Sequence, residues 1–159
     1  MRDLGRATRV AAGAIGEPGD RTFFLEVDAP GGPFWFIMEK LQVAALALQV
    51  RELLQGRRED EAEYTGGIAD DPVPAFRVTE VRISDAGPDG YRVDLYPIDS
   101  PDTQAATFVA SAEVLAAMTA PALTAVDAGR PRCPRCGLAM DPDGHPCPAG
   151  NGDLRNHRP

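Results

Sequence analysis

Three cysteines stand close together near the end of the chain, Cys133, Cys136 and Cys147, with His145 among them. Thiolate sulfur and imidazole nitrogen are ligands that zinc prefers, and four of them close its tetrahedral sphere. In Cys133-Pro134-Arg135-Cys136-Gly137 the two thiols sit three positions apart. One tight turn can aim both at a single ion, and Gly137 lets the backbone follow. Asp141-Pro142-Asp143-Gly144 has the residues of a turn that brings the chain back. His145 and Cys147 are two apart, so on an extended backbone they face the same side. We therefore expect one structural Zn2+ held by Cys133, Cys136, His145 and Cys147. His157, a water molecule, Asp141 and Asp143 are alternatives at the least certain, fourth position. A redox Cys-x-x-Cys pair is the rival chemistry, but such a pair opens a helix after a strand. Here Pro134 follows the first cysteine in a turn-rich segment. Three cysteines in one cluster are poor arithmetic for disulfides. A segment this short lacks a core, so metal binding would supply its folding energy.

Other chemistry is sparse. Both histidines, His145 and His157, lie in the tail, and no Ser-His-Asp set can be assembled. There is no P-loop, and no GxGxxG follows a strand. Glu39-Lys40 stands at a strand-to-helix junction, where the chain's single lysine could meet a phosphate or carboxylate. Arg21, Glu39 and Lys40 are the residues that a ligand cleft would use. A solvated surface pair is the plainer reading of Glu39-Lys40. Core packing is the plainer reading of Phe34, Trp35 and Phe36.

The elements that must position these residues follow from periodicity. Ala7 to Gly16 reads as a small-residue strand, and Gly16-Glu17-Pro18-Gly19-Asp20 as a turn. Thr22 to Asp28 alternates, with Phe23, Leu25 and Val27 on one face. Phe34 to Met38 is apolar on both faces, like a covered central strand. Val43, Leu46, Val50 and Leu53 form one stripe of a helix over 40–55, and Gly56 stops it. Residues 57–74 read as a charged, Gly- and Pro-bearing linker. Then Phe76 to Ile83, Tyr91 to Tyr96 and Ala105 to Val109 read as strands, with a turn at Gly87-Pro88-Asp89-Gly90. A second helix spans 112–128 with Ser111 as its N-cap, and Pro121 should kink or split it. Aligning Gln42-Val43-Ala44 with Glu113-Val114-Leu115 suggests an internal duplication.

The expected architecture is α+β: an antiparallel sheet of about six strands in two βββα halves, 1–56 and 75–129. Two helices cover it, and a zinc-ribbon-like tail follows over 130–159. The net charge of −8 opposes non-specific nucleic-acid binding and docking on anionic lipid. Arg130, Arg132 and Arg135 form a local basic spot whose plainer reading is a solvated loop. No apolar run approaches the roughly 18–20 residues of a membrane span. No apolar stretch follows Met1 to Arg6, so a cytoplasmic location is expected.

One set of residues carries a resemblance: Gly13-x-x-Gly16-x-Pro18-Gly19-x-Arg21-Thr22-Phe23-Phe24-Leu25, Glu39-Lys40-x-Gln42-Val43 and Gly129-Arg130-Pro131-x-Cys133-Pro134-x-Cys136-Gly137. Asp141-Pro142-x-Gly144-His145-x-Cys147-Pro148 and Asn151-Gly152 complete it. The pattern resembles an actinobacterial family of conserved hypothetical proteins, the domain-of-unknown-function family thirty-ninety. The likeness covers nearly the whole chain and implies no activity. Such proteins tend to be encoded beside a phosphoinositide-kinase-like and a histidine-phosphatase-like protein, which implies a shared pathway and a protein partner. The chain departs from the pattern at Ala149, where a basic residue is usual, at Ala139-Met140 and at Pro121. The expected function is a non-enzymatic, zinc-containing adaptor or scaffold. The alternative is an enzyme or small-ligand-binding protein with a site between the two halves.

Overall fold

The computed structural model describes residues 1–17, 19–55, 67–69, 71–98 and 101–128. The chain forms strands β1 (Arg2–Arg6), β2 (Arg9–Ile15), β3 (Thr22–Asp28) and β4 (Phe34–Met38), then helix α1 (Lys40–Leu53). Strands β5 (Pro74–Asp85), β6 (Tyr91–Pro97) and β7 (Ala106–Ala110) follow, then helix α2 (Ala112–Asp127). The apolar stripe of α1 buries Val43, Leu46, Ala47 and Val50. Its start is fixed by Gln42, whose Oε1 accepts from the Glu39 N–H at 2.7 Å. The N-cap of α2 is Ser111, whose Oγ accepts from the Val114 N–H at 3.2 Å. Pro121 does not split α2. Met118, Thr119 and Ala122 are buried around it, and packing of this kind outweighs the cost of about 3 kcal/mol that an interior proline carries.

The sheet has seven strands in the order β1-β7-β6-β5-β4-β3-β2. It is mixed, not antiparallel: β1 runs parallel to β7, and β4 parallel to β5. Each half is an antiparallel meander, but the helix that ends it carries the chain back before the next strand begins. The join between halves is therefore parallel.

The first and last strands in this order are consecutive in the chain. Only Ala7 and Thr8 separate them. The Ala7 N–H donates to Val109 O on β7, and the Thr8 N–H donates to Asp28 O on β3, both at 2.8 Å. One bent strand thus serves both ends of the sheet, so the sheet must roll up. Strand β5 does the same on the other side. Its start pairs with β4, and from Val78 onward it pairs with β6 after a bulge at Thr79.

These two corners are equivalent. Thr8 Oγ1 donates to Asp28 O at 3.3 Å, and Thr79 Oγ1 donates to Tyr96 O at 3.1 Å. The corner sequences match, Arg6-Ala7-Thr8-Arg9-Val10 and Arg77-Val78-Thr79-Glu80-Val81. The registers also match: Phe36 faces Leu25 as Phe108 faces Val93, and Ile37 faces Arg77 as Val109 faces Arg6. The buried residues of α1 fall on Leu115, Met118, Thr119 and Ala122 of α2. Val43 is therefore the counterpart of Leu115, one residue away from the alignment expected from sequence.

The inner faces and both helices share one core, with Leu25, Val27, Phe36, Val78, Val93, Leu95 and Phe108 at 2% exposure or less. Helices α1 and α2 pack on each other, and α2 lies against β2. Of the expected linker, Gly67 and Ile68 reach β2. Arg9 Nη2 donates to Gly67 O at 2.5 Å, and a Cβ on Gly13 would stand 3.2 Å from Ile68 Cγ1. Residues 56–66 and 70, and the tail expected to be zinc-ribbon-like, lie outside the described residues.

Candidate functional site

All three cleft residues expected from sequence line one cavity. Arg21 leaves the β2–β3 turn just before Thr22. Glu39 and Lys40 stand where β4 gives way to α1. Together with Phe23, Ile37, Arg77 and Ala128 they surround a cleft of about 420 Å³. Arg77 on β5 and Ala128 after α2 belong to the second half of the chain, so the cleft lies where the two halves meet. Sequence reasoning missed Arg77. Its signal is the repeat of the corner sequence, which places an arginine beside the last strand of each half.

The four charged groups are engaged differently. Arg21 Nη1 donates to Ala125 O at 3.2 Å and to Ala128 O at 2.7 Å. These carbonyls end α2 and have no partner within the helix, so Arg21 serves as a cationic cap there. Its guanidinium also lies 5.3 Å from the Phe23 ring centre. Arg77 Nη1 donates to Glu39 Oε1 at 2.7 Å, with both side chains more than half exposed. Such a pair contributes little stability and can exchange partners. Lys40 is half-buried, and among the described residues its ammonium has neither an ion-pair nor a hydrogen-bond partner. It is the first residue of α1, where the helix dipole disfavours a cation, and the nearest acid, the N-cap Glu39, is shared with Arg77. The cleft thus carries three cations against one carboxylate.

A second cavity, of about 660 Å³, is bordered by Arg6, Thr8, Glu26, Asp28, Pro30 and Pro33. Its buried acid is already satisfied. Glu26 Oε2 accepts from Arg9 Nη1 at 2.5 Å, and Oε1 accepts from Trp35 Nε1 at 2.8 Å. The opposite outer face has a matching acid. Asp94 Oδ1 accepts from Thr107 Oγ1 at 2.6 Å and from Arg92 Nε at 3.0 Å. Burial alone would raise the Asp94 pKa, but the bonds from Thr107 and Arg92 outweigh it and hold the pKa low. Glu26 pairs across the sheet with Trp35, as Asp94 does with Thr107. Both are structural acids of the repeat.

Cys133, Cys136, His145 and Cys147 lie outside the described residues. Among the described residues, no group of three or more His, Cys, Asp and Glu side chains could hold a metal ion, and no helix is long and apolar enough to cross a membrane. A family model described as a protein of unknown function (DUF3090) matches residues 3–147. No curated protein and no solved structure matches the chain.

Proposed function

We propose, for a chain that belongs to the DUF3090 family of proteins of unknown function, that the inter-half cleft binds a small anionic ligand. The observation that carries this reading is the unpartnered Lys40, set in a concave site with Arg21 and Arg77. Convergent cations in a cleft attract and orient an anion, and they act best where water is partly excluded. The lining supports binding more than reaction chemistry. It includes no Ser, Cys or His, and its one acid, Glu39, is held by Arg77. Calorimetric titration with inorganic sulfate tests the reading. One saturable site per chain is expected, weakened at least fivefold by Lys40→Ala. Absence of saturable heat up to a few tens of millimolar, which bounds any binding as weaker than about −2 kcal/mol, would refute it.

A second reading concerns the tail. The family match reaches Cys147, so all four proposed ligands fall within the matched residues. On this reading Cys133, Cys136, His145 and Cys147 hold a structural Zn2+, and the tail offers a protein partner a fixed surface. That would make the chain a zinc-containing adaptor, with the kinase-like and phosphatase-like neighbours as partners to try first. Pull-down from native lysate that recovers no stable partner would count against it.

A further inference from the structure

The repeat supplies an internal control for the cleft, because the same elements meet at the corresponding place in the second half. Arg6 is the counterpart of Arg77: each stands on the strand that runs parallel beside the last strand of a half, opposite Val109 and Ile37. Ser111 and Ala112 stand where Glu39 and Lys40 stand, at the start of a helix. Tyr91 pairs with Ala110 as Phe23 pairs with Met38. Two residues before Tyr91 the chain has Asp89, and two residues before Phe23 it has Arg21.

The charges have diverged completely. At the equivalent place the lone arginine, Arg6, is neutralised by Asp89 at 2.8 Å. The lysine is replaced by alanine, so the four positions sum to zero. In the cleft, Arg21, Lys40 and Arg77 against Glu39 leave two positive charges. Arg21 has a structural use at the end of α2, but the backbone frame does not need Lys40, since alanine stands at the equivalent helix start. The Lys40 charge is therefore specific to the cleft.

We propose that this cleft selects a soluble dianion carrying an apolar or ring-bearing body, a phosphate monoester, over monoanions of the same shape. The proposal rests on the small-anion reading above and names the ligand class. A net excess of two positive charges, Lys40 and the two arginines against Glu39, matches a phosphoryl group in its doubly ionised form. Phe23, Ile37 and Met38 add an apolar wall, and 420 Å³ is in the range of clefts that hold a whole small molecule. The chain's net charge of −8 disfavours an anionic membrane as the source of the phosphate.

The test is calorimetry on the full chain with phenyl phosphate, benzoate and inorganic sulfate at pH 8.0 and 5.5. At pH 8.0, phenyl phosphate should bind one per chain, at least tenfold tighter than benzoate. At pH 5.5 its affinity should fall about fourfold, the loss of dianion for a second pKa near 6. Sulfate, doubly charged at both pH values, should change much less. Lys40→Ala should remove most of the preference over benzoate while leaving the circular dichroism spectrum unchanged. Benzoate binding as tightly as phenyl phosphate would overturn the dianion selectivity and leave the anion cleft standing. No saturable binding of any of the three would remove both. Co-sedimentation with phosphatidic acid vesicles, unmatched by binding of phenyl phosphate, would overturn the small-molecule assignment.

Discussion

Replacing Glu26 should expose how much of the first half depends on one buried acid. Its side chain is 3% exposed and its Arg9 partner 25% exposed. Removing one member of such a pair leaves a charge without compensation, which costs about 3–5 kcal/mol in fully buried cases. Arg9 keeps Asp28 at 3.4 Å and Gly67 O at 2.5 Å, so the lower end applies. The Trp35 indole N–H, also left without its acceptor, adds about 1 kcal/mol. Glu26→Ala should therefore destabilise by about 3–4 kcal/mol, and the melting temperature should fall by about 10 °C at this chain length. Glu26→Gln keeps an acceptor for Trp35 but loses the charge, and should cost about half as much. Urea unfolding checks this, followed by circular dichroism and by the fluorescence of Trp35, the single tryptophan. A double-mutant cycle of Glu26→Ala with Arg9→Ala isolates the pair and should give at least about 1 kcal/mol of coupling. Both single variants falling within about 0.5 kcal/mol of the parent, or a coupling near zero, would refute the reasoning.

The remaining predictions concern the second half and the tail. Asp94 has a lowered pKa in the fold, so its contribution is present above the ordinary carboxylate value and is lost as pH falls through the lowered one. The destabilisation by Asp94→Asn should thus be largest near neutral pH and shrink below about pH 4, which stability curves at several pH values will show. Gly90 has φ +98°, and an added Cβ would meet the Ala110 carbonyl, so Gly90→Ala should cost about 2 kcal/mol or more. Denaturant midpoints measure this, and Gly87→Ala is a milder companion because a Cβ there meets nothing within 4 Å. One zinc per chain should appear by elemental analysis, and Cys136→Ser should lower it without melting the main domain. Global unfolding of that variant would place the domain boundary elsewhere than near residue 130.

Most of the elements were legible because their faces obey simple periods. Phe23, Leu25 and Val27 alternate into the core, and the α1 stripe steps by three and four. The mixed character of the sheet was not legible, since alternation says which face a residue occupies and nothing about the direction of its neighbour. The strand Arg2–Arg6 was missed because it is polar and short, and it is held by backbone pairing to β7 rather than by an apolar pattern. The likeness of the two halves is faint in the helices, where alanines blur the phase. The clearer trace is the corner sequence Arg-x-Thr-x-Val at Arg6 and Arg77, kept because the threonine hydroxyl bonds a strand carbonyl at each bend. Glu39 and Lys40 could be noticed from their place at a junction. That Arg77, some forty residues on, completes the same cleft is a property of the parallel β4–β5 pairing alone.

The bent strand also sets a timetable for synthesis. Arg2–Arg6 leaves the ribosome well before its partner, which ends at Ala110. At about 5–20 residues per second, that partner emerges roughly 5–20 seconds later. The second segment of the same strand, Arg9–Ile15, meets β3 almost at once. A nascent chain therefore carries a half-docked strand whose leading residues stay unpaired until the second half arrives. A tag or fusion placed ahead of Met1 would act during that interval, by delaying the closing of the sheet, more than on the finished fold.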